Sequence, residues 1–162
     1  MSKGATSAHV HHNFIHHCQR RGIGYGVVLY EAQGLIEFNI FDYCRHSIAA
    51  SGQPGTAYEA CNNIVLENGY VSSFDMHGGG DRKDGTDIAG DWIKIHHNTF
   101  KAKWRGVNFV PGVGIRGVPT EGGEIHHNWF GESDPTKAFF KDPNPNVRVY
   151  RNQYGSDRVI KD

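Results

Sequence analysis

No apolar run in this chain reaches the length of a membrane-spanning helix, and the mean hydropathy is −0.55, so the sequence predicts no helical membrane span. An excess of charge of one sign is also missing. Seventeen Lys and Arg balance 17 Asp and Glu, and the pI is near 7.2, which argues against an electrostatic nucleic-acid binder. Three cysteines are an odd and small number, so a full disulfide framework is excluded. No nucleophile elbow, phosphate loop or dinucleotide fingerprint is present. Gly22-Ile23-Gly24-Tyr25-Gly26 is too short and too strand-like for a cofactor loop. The opening Met1-Ser2-Lys3-Gly4-Ala5-Thr6 carries no secretory leader pattern. Helical periodicity is poor throughout; short runs of Val, Ile, Phe and Tyr are broken by Gly, Asn, Asp and Pro clusters, which reads as strands.

What the chain does have is a repeated phrase: an aliphatic residue, two variable positions, an asparagine, another variable position and a bulky apolar residue. It begins at Val10, Ile36, Val65, Ile95, Ile125 and Val149. Its asparagines are Asn13, Asn39, Asn68, Asn98, Asn128 and Asn152, so the steps are 26, 29, 30, 30 and 24 residues. A period of this size marks an array whose units bury their apolar faces only against each other. Further apolar runs follow each phrase, at Gly26–Tyr30, His46–Ala50, Phe74–His77, Val107–Val110 and Ala138–Phe140. Weaker third runs lie at Ala57–Ala60, Thr86–Ala89 and Gly114–Gly117. Three short strands per repeat predict one turn of a parallel β-helix, with coils stacked at about 4.8 Å. The asparagines are expected to stack as an amide ladder and to occupy the left-handed conformation at a tight bend. The aliphatic column and a bulky column (Ile15, Phe41, Tyr70, Phe100, Phe130, Tyr154) are expected inside.

The phrases Ile95-His96-His97-Asn98-Thr99-Phe100 and Ile125-His126-His127-Asn128-Trp129-Phe130 resemble the repeat unit of right-handed parallel β-helix proteins, the pectin-lyase-like superfamily. The resemblance runs from about His9 to Tyr154. It implies an all-β, right-handed solenoid of about six coils as a single domain over 1–162, with 131–162 an atypical last coil and tail. Proteins resembling this fold are usually secreted and longer, and the chain opens almost at once on a coil phrase without a helical cap. It is therefore read as part of a longer secreted or cell-surface protein. Uncapped ends expose strand edges, so association into a homo-oligomer through them is expected. The Pro-rich Asp142–Asn146 reads as a loop leading to the last coil.

Cys18 and Cys44 each follow their repeat asparagine by five positions and should be vertical neighbours within bridging distance, a buried pair of free thiols being the simpler expectation. Cys61 has no partner in that register. Eleven histidines raise a metal question. Strand alternation sends the two members of His96-His97 and of His126-His127 to opposite faces, so the four imidazoles are not expected to converge on one ion. A stacked surface column, with no metal, is the expectation for these and for His11-His12.

The middle coils carry the chemistry-bearing residues. With Phe74 and Met76 inside, Asp75 and His77 share the outer face, and the asparagine register sets Ser47 beside Asp75, with Arg45 and His46 one coil away. A carboxylate beside an imidazole fixes its tautomer, and the glycines after His77 leave space for a substrate. Elimination on a uronate polysaccharide would use His77 or His46 as base, with Arg45, Arg82 or Arg116 neutralising the carboxylate. Hydrolysis would pair Asp75 with Asp81, Asp84 or Asp87. Elimination accounts for more of the cluster. Tyr30, Trp104 and Trp129 are candidate sugar platforms. No cofactor is required, although the carboxylates of Asp81–Asp87 have spacings that calcium could use. The rival reading is a non-catalytic glycan-binding or structural module of a larger surface or spike protein. Fold does not decide between these.

Overall fold

The computed structural model describes residues 6–106, 111–140 and 146–155, and these form a parallel β-helix. Coil one contains β1 (Thr6–His11), β2 (Phe14–His16) and β3 (Tyr25–Leu29); coil two β4 (Ala32–Glu37), β5 (Ile40–Asp42) and β6 (His46–Ala50). Coil three contains β7 (Ala57–Cys61), β8 (Ile64–Val65) and β9 (Phe74–Met76), followed by a single helical turn α1 (Gly79–Arg82). Coil four contains β10 (Trp92–His96), β11 (Thr99–Phe100) and β12 (Val113–Ile115). Coil five contains β13 (Gly122–His126), β14 (Trp129–Phe130), the turn α2 (Pro135–Ala138) and β15 (Phe139–Phe140). A sixth, shorter coil has β16 (Val147–Tyr150) and β17 (Gln153–Tyr154). First strands pair only with first strands, second with second and third with third, giving two six-stranded sheets and one five-stranded sheet, all parallel.

The amide ladder exists, but its third rung is Asn63 rather than Asn68. The steps between rungs are therefore 26, 24, 35, 30 and 24 residues. Each Oδ1 accepts from the backbone N–H and the side-chain amide of the asparagine one coil earlier, as Asn63 does from Asn39 at 3.0 and 3.1 Å. Each Nδ2 also reaches back to the carbonyl of the aliphatic column, Asn63 to Ile36 at 2.8 Å. The left-handed residue is not the asparagine but the one before it. His12, Phe38, Asn62, His97, His127 and Arg151 all have φ between 51° and 56°. Asparagine is selected for its amide, which captures the N–H groups that the bend turns away from a ladder partner.

Moving the rung moves the columns. Ala60, not Val65, stands between Ile36 and Ile95, while Val65 takes the bulky position between Phe41 and Phe100. Tyr70 is 66 % exposed and belongs to no column. Asn68 instead bonds Asp42 at the surface. The expected runs at Ala57–Ala60 and Gly114–Gly117 are first and third strands of their own coils, Thr86–Ala89 contributes only an isolated bridge from Ile88 to Val118, and Val107–Val110 lies outside the described residues. Most of Asp142–Asn146 also lies outside them.

The core is the solenoid's bore. Ile36, Ile95 and Ile125 stack on one wall, and Phe41, Phe100 and Phe130 on the next. Phe100 and Phe130 lie ring on ring at 4.8 Å and 3°, with Tyr154 continuing the stack at 5.3 Å. Phe74 meets Phe100 edge to face at 4.9 Å. Such offset and T-shaped contacts add to the burial of apolar area that holds the coils together. Cys18, Cys44 and Cys61 are free thiols; burial, then the Cys18 thiol beside it, pushes Cys44 up to about 12, so it stays protonated. Among the described residues no helix is long and apolar enough to cross a membrane.

Replacing Asn63 with Ala removes a buried amide and leaves the Asn39 N–H and the Ile36 carbonyl without their partners. A loss of about 3 kcal/mol is expected in denaturant titration, whereas Asn68→Ala should stay within about 0.5 kcal/mol. Equal effects would contradict the assigned rung.

Candidate functional site

The 35-residue step from Asn63 to Asn98 is the longest in the ladder, and the extra chain emerges after β9. It carries His77, the turn α1 and a loop that returns at Ala89. Gly78 is required where this insertion leaves the coil, since a Cβ there would sit 1.9 Å from the Arg116 carbonyl. That close approach brings the end of β12 against the start of the insertion.

Asp75 lies on the outward face of the third sheet, between Ala49 of β6 and Gly114 of β12, yet it is fully buried. The expected neighbour Ser47 is two residues away from that register position. Gly114 makes the space: a Cβ there would meet Asp75 Oδ1 at 2.7 Å and Ser72 Oγ at 2.8 Å. Four side chains close a ring of charge over this point. Arg116 Nη2 and Nε each lie 3.1 Å from Asp75 Oδ1, and Arg116 Nη1 lies 3.4 Å from Asp81 Oδ1. His77 bridges the same two carboxylates, Nε2 3.1 Å from Asp75 Oδ2 and Nδ1 3.2 Å from Asp81 Oδ2. His46 closes the cluster from below. Its ring is fully buried, and Nδ1 sits 2.6 Å from the Ser72 carbonyl. A carbonyl only accepts, so Nδ1 carries the hydrogen and Nε2 presents a bare lone pair. Burial, outweighing the opposing pull of Asp75, holds this imidazole below its ordinary value and so keeps it neutral.

His77 and Asp81 form one wall of a groove of about 440 Å³ that runs over the outward face of β3 and β6. Tyr25, Tyr30, Gln53 and Arg82 also line it, and Tyr30 is 66 % exposed. The other expected residues divide as follows. Arg45 donates to the Tyr25 hydroxyl at 3.0 Å and stacks on its ring. Arg82 is spent on the insertion itself, donating to Asp84 at 2.7 Å and to the Ser51 and Ile88 carbonyls at 3.1 and 3.0 Å. Asp84 is held down to about 2 by the Thr86 hydroxyl and N–H and by Arg82, so it serves the loop's own turn. Trp104 is half exposed, lies beneath the Lys137 ammonium at 5.2 Å and is not part of the groove wall. Trp129 pairs between Thr99 and Gln153 in the second sheet. Tyr25, Gln53 and Gly114 were not expected from the sequence; only the true register of coils two to four exposes them.

The paired histidines behave differently from the alternation argument. Because His97 and His127 are left-handed, both rings of each pair project outward. The Nδ1 atoms meet at 2.9 Å in His96-His97 and at 2.7 Å in His126-His127. The pairs also stack between coils, His96 on His126 at 5.0 Å and His97 on His127 at 5.1 Å. His96 Nε2 meets Glu59 at 3.0 Å. Cys61 sits in this same outward column, between Glu37 and His96.

Comparison with known proteins returned no match: no family model, no curated protein and no solved structure matches this chain.

His46 and His126 both have values lowered from 6.5, in each case chiefly by burial. Their stabilisation is fully present above 6.5 and is lost as pH falls through the depressed folded values, since the unfolded chain takes up those protons first. The thermal midpoint should therefore drop as the solution is acidified below neutrality, and His126→Gln should flatten part of that slope; a pH-independent midpoint would refute the assignment. Gly114→Ala should displace Asp75 and destabilise the fold by about 1–3 kcal/mol in the same assay.

Proposed function

We propose that this β-helix is a carbohydrate-active protein of the pectin-lyase-like kind, which lays an acidic polysaccharide along the third-sheet groove and cleaves it beside His77. The observation that carries the reading is one imbalance in the fold. An otherwise aliphatic sheet face gives way, at the groove wall, to an imidazole held between two carboxylates that share one guanidinium. His77 is the proton-transferring group, Asp75 its buried orienting partner, and Asp81 the carboxylate that faces solvent. Tyr30 offers an exposed ring on which a sugar can stack. Arg116 and Arg82 are committed to internal acceptors, so little cationic capacity remains to neutralise a uronate next to the scissile bond. That commitment favours hydrolysis, with His77 protonating the leaving oxygen, over elimination. A substrate of this type places the protein outside the cell, secreted or as a surface module of a longer chain.

The second reading, a glycan-binding module without turnover, has one observation in its favour: both ring nitrogens of His77 already face carboxylates. A panel of uronate and neutral polysaccharides separates the two. Reducing-end release is expected from the wild type, falling by about 10²–10⁴-fold in His77→Ala while the fold survives. Ultraviolet absorbance of an unsaturated product would instead establish elimination. Retention on a polysaccharide gel with neither product formed would establish the binding module and overturn the enzyme.

A further inference from the structure

Among the described residues two groups of three metal-ligating side chains have donor atoms within 4.8 Å of one another: His46, Asp75 and His77 at the groove wall, and Glu59, Cys61 and His96 on the outer column. They differ in one respect. In the outer group the donors already have partners: His96 Nε2 has Glu59, His96 Nδ1 has His97, and Cys61 Sγ has Glu37 at 3.8 Å. Burial and the nearby carboxylates push the Cys61 thiol up to about 11, so it offers no thiolate near neutral pH.

In the inner group two of the three donor atoms lack a hydrogen-bond partner. His46 Nε2 is fully buried and has no hydrogen-bond partner. Asp75 Oδ2 is buried likewise, and although His77 Nε2 lies 3.1 Å away, the two are out of hydrogen-bond alignment. An orphaned imidazole lone pair and an orphaned carboxylate oxygen in a buried site are each costly to leave unmet.

We propose that His46 Nε2, Asp75 Oδ2 and His77 Nε2 are the protein ligands of a divalent transition-metal ion of the zinc or iron(II) type. Two imidazoles and one carboxylate suit such ions better than calcium or magnesium, which prefer all-oxygen shells. The three donor atoms lie within 4.8 Å of one another, and one of the three spacings is already near that of a metal shell. Four ligands at about 2.0–2.1 Å from a tetrahedral ion lie about 3.4 Å apart, against 3.1 Å for His77 Nε2 and Asp75 Oδ2 here. The outer shell is already built. A ligating histidine commonly donates its other N–H to a carbonyl or carboxylate. His46 Nδ1 does so to the Ser72 carbonyl at 2.6 Å, and His77 Nδ1 faces Asp81 at 3.2 Å. The third ligand, Asp75, is held by Arg116 at Oδ1, while its buried Oδ2 has no hydrogen-bond partner. Three protein ligands leave a coordination position for water or for an oxygen of a bound molecule. The inference stands apart from the carbohydrate reading: with both nitrogens engaged His77 would be a ligand and not the proton-transferring group, and binding is measured without substrate.

Co²⁺ is the probe, titrated into tag-free, chelator-stripped protein and followed by its visible ligand-field bands. One equivalent is expected to bind to the wild type and equally to a His96→Ala/His126→Ala variant, which removes the outer stack. His77→Ala, a partly exposed position, should weaken binding at least about 100-fold, and Asp81→Asn about 10–100-fold through the outer shell. Zn²⁺ should raise the thermal midpoint of the wild type and leave that of His77→Ala unmoved. Absence of binding to the wild type, binding undiminished in both His77→Ala and Asp81→Asn, or loss confined to the outer-stack variant would overturn the assignment.

Discussion

One bond type sets everything else in this molecule: the asparagine Oδ1 that accepts two N–H groups from the rung before it. Each coil must turn sharply after its first strand, and the turn is made by a left-handed residue, His12, Phe38, Asn62, His97, His127 or Arg151. That geometry removes backbone groups from the sheet ladder, and a buried N–H without an acceptor is destabilising. The stacked amides supply the acceptor and lock each coil to the next in a single register. Asn39, Asn63, Asn98 and Asn128 are correspondingly buried. The three sheets, the aliphatic wall and the aromatic stack all inherit their alignment from that bond.

Fixed register turns every outward position into a column, and columns are where this fold acquires surface chemistry. The imidazole stack from His96 to His126 continues onto Tyr150 at 4.9 Å. The same rule makes a departure conspicuous. The long step between Asn63 and Asn98 expels the segment holding His77, α1 and Arg82, and this segment packs back toward the third sheet. Arg82, with its donors on Ser51, Asp84 and Ile88, is the clamp that holds it there.

A fully buried aspartate at mid-sheet is poor design for stability alone. Its Coulomb gain from Arg116 competes with the desolvation of both groups, and an apolar residue between Ala49 and Gly114 would pack without that penalty. Tyr58, buried with an unbonded hydroxyl, titrates far above its usual range through burial and then the Asp75 charge, and Ser72 Oγ is unpartnered too. Among the described residues, four of the buried polar atoms without a hydrogen-bond partner, on His46, Tyr58, Ser72 and Asp75, belong to this neighbourhood.

Reading along the chain, period and composition alone led to a parallel β-helix of about six coils, and the pattern of Phe74 and Met76 inside with Asp75 and His77 outside was legible because strands alternate. Asn68 misled because Val65-Leu66-Glu67-Asn68-Gly69-Tyr70 fits the phrase as well as Ala60-Cys61-Asn62-Asn63-Ile64-Val65 does once Ala is not counted as aliphatic. That slip hid the insertion that follows β9. The paired histidines misled because alternation holds only while φ stays negative. What the sequence by itself determined was the kind of repeat, since apolar periodicity and amide stacking are local and recur in every coil. Only the tertiary structure decided that His46, from one coil, lies against Asp75 and His77 from the next, and Arg116 from the one after. Contacts between coils depend on register, and register is a property of the stacked ladder, not of any single segment of chain.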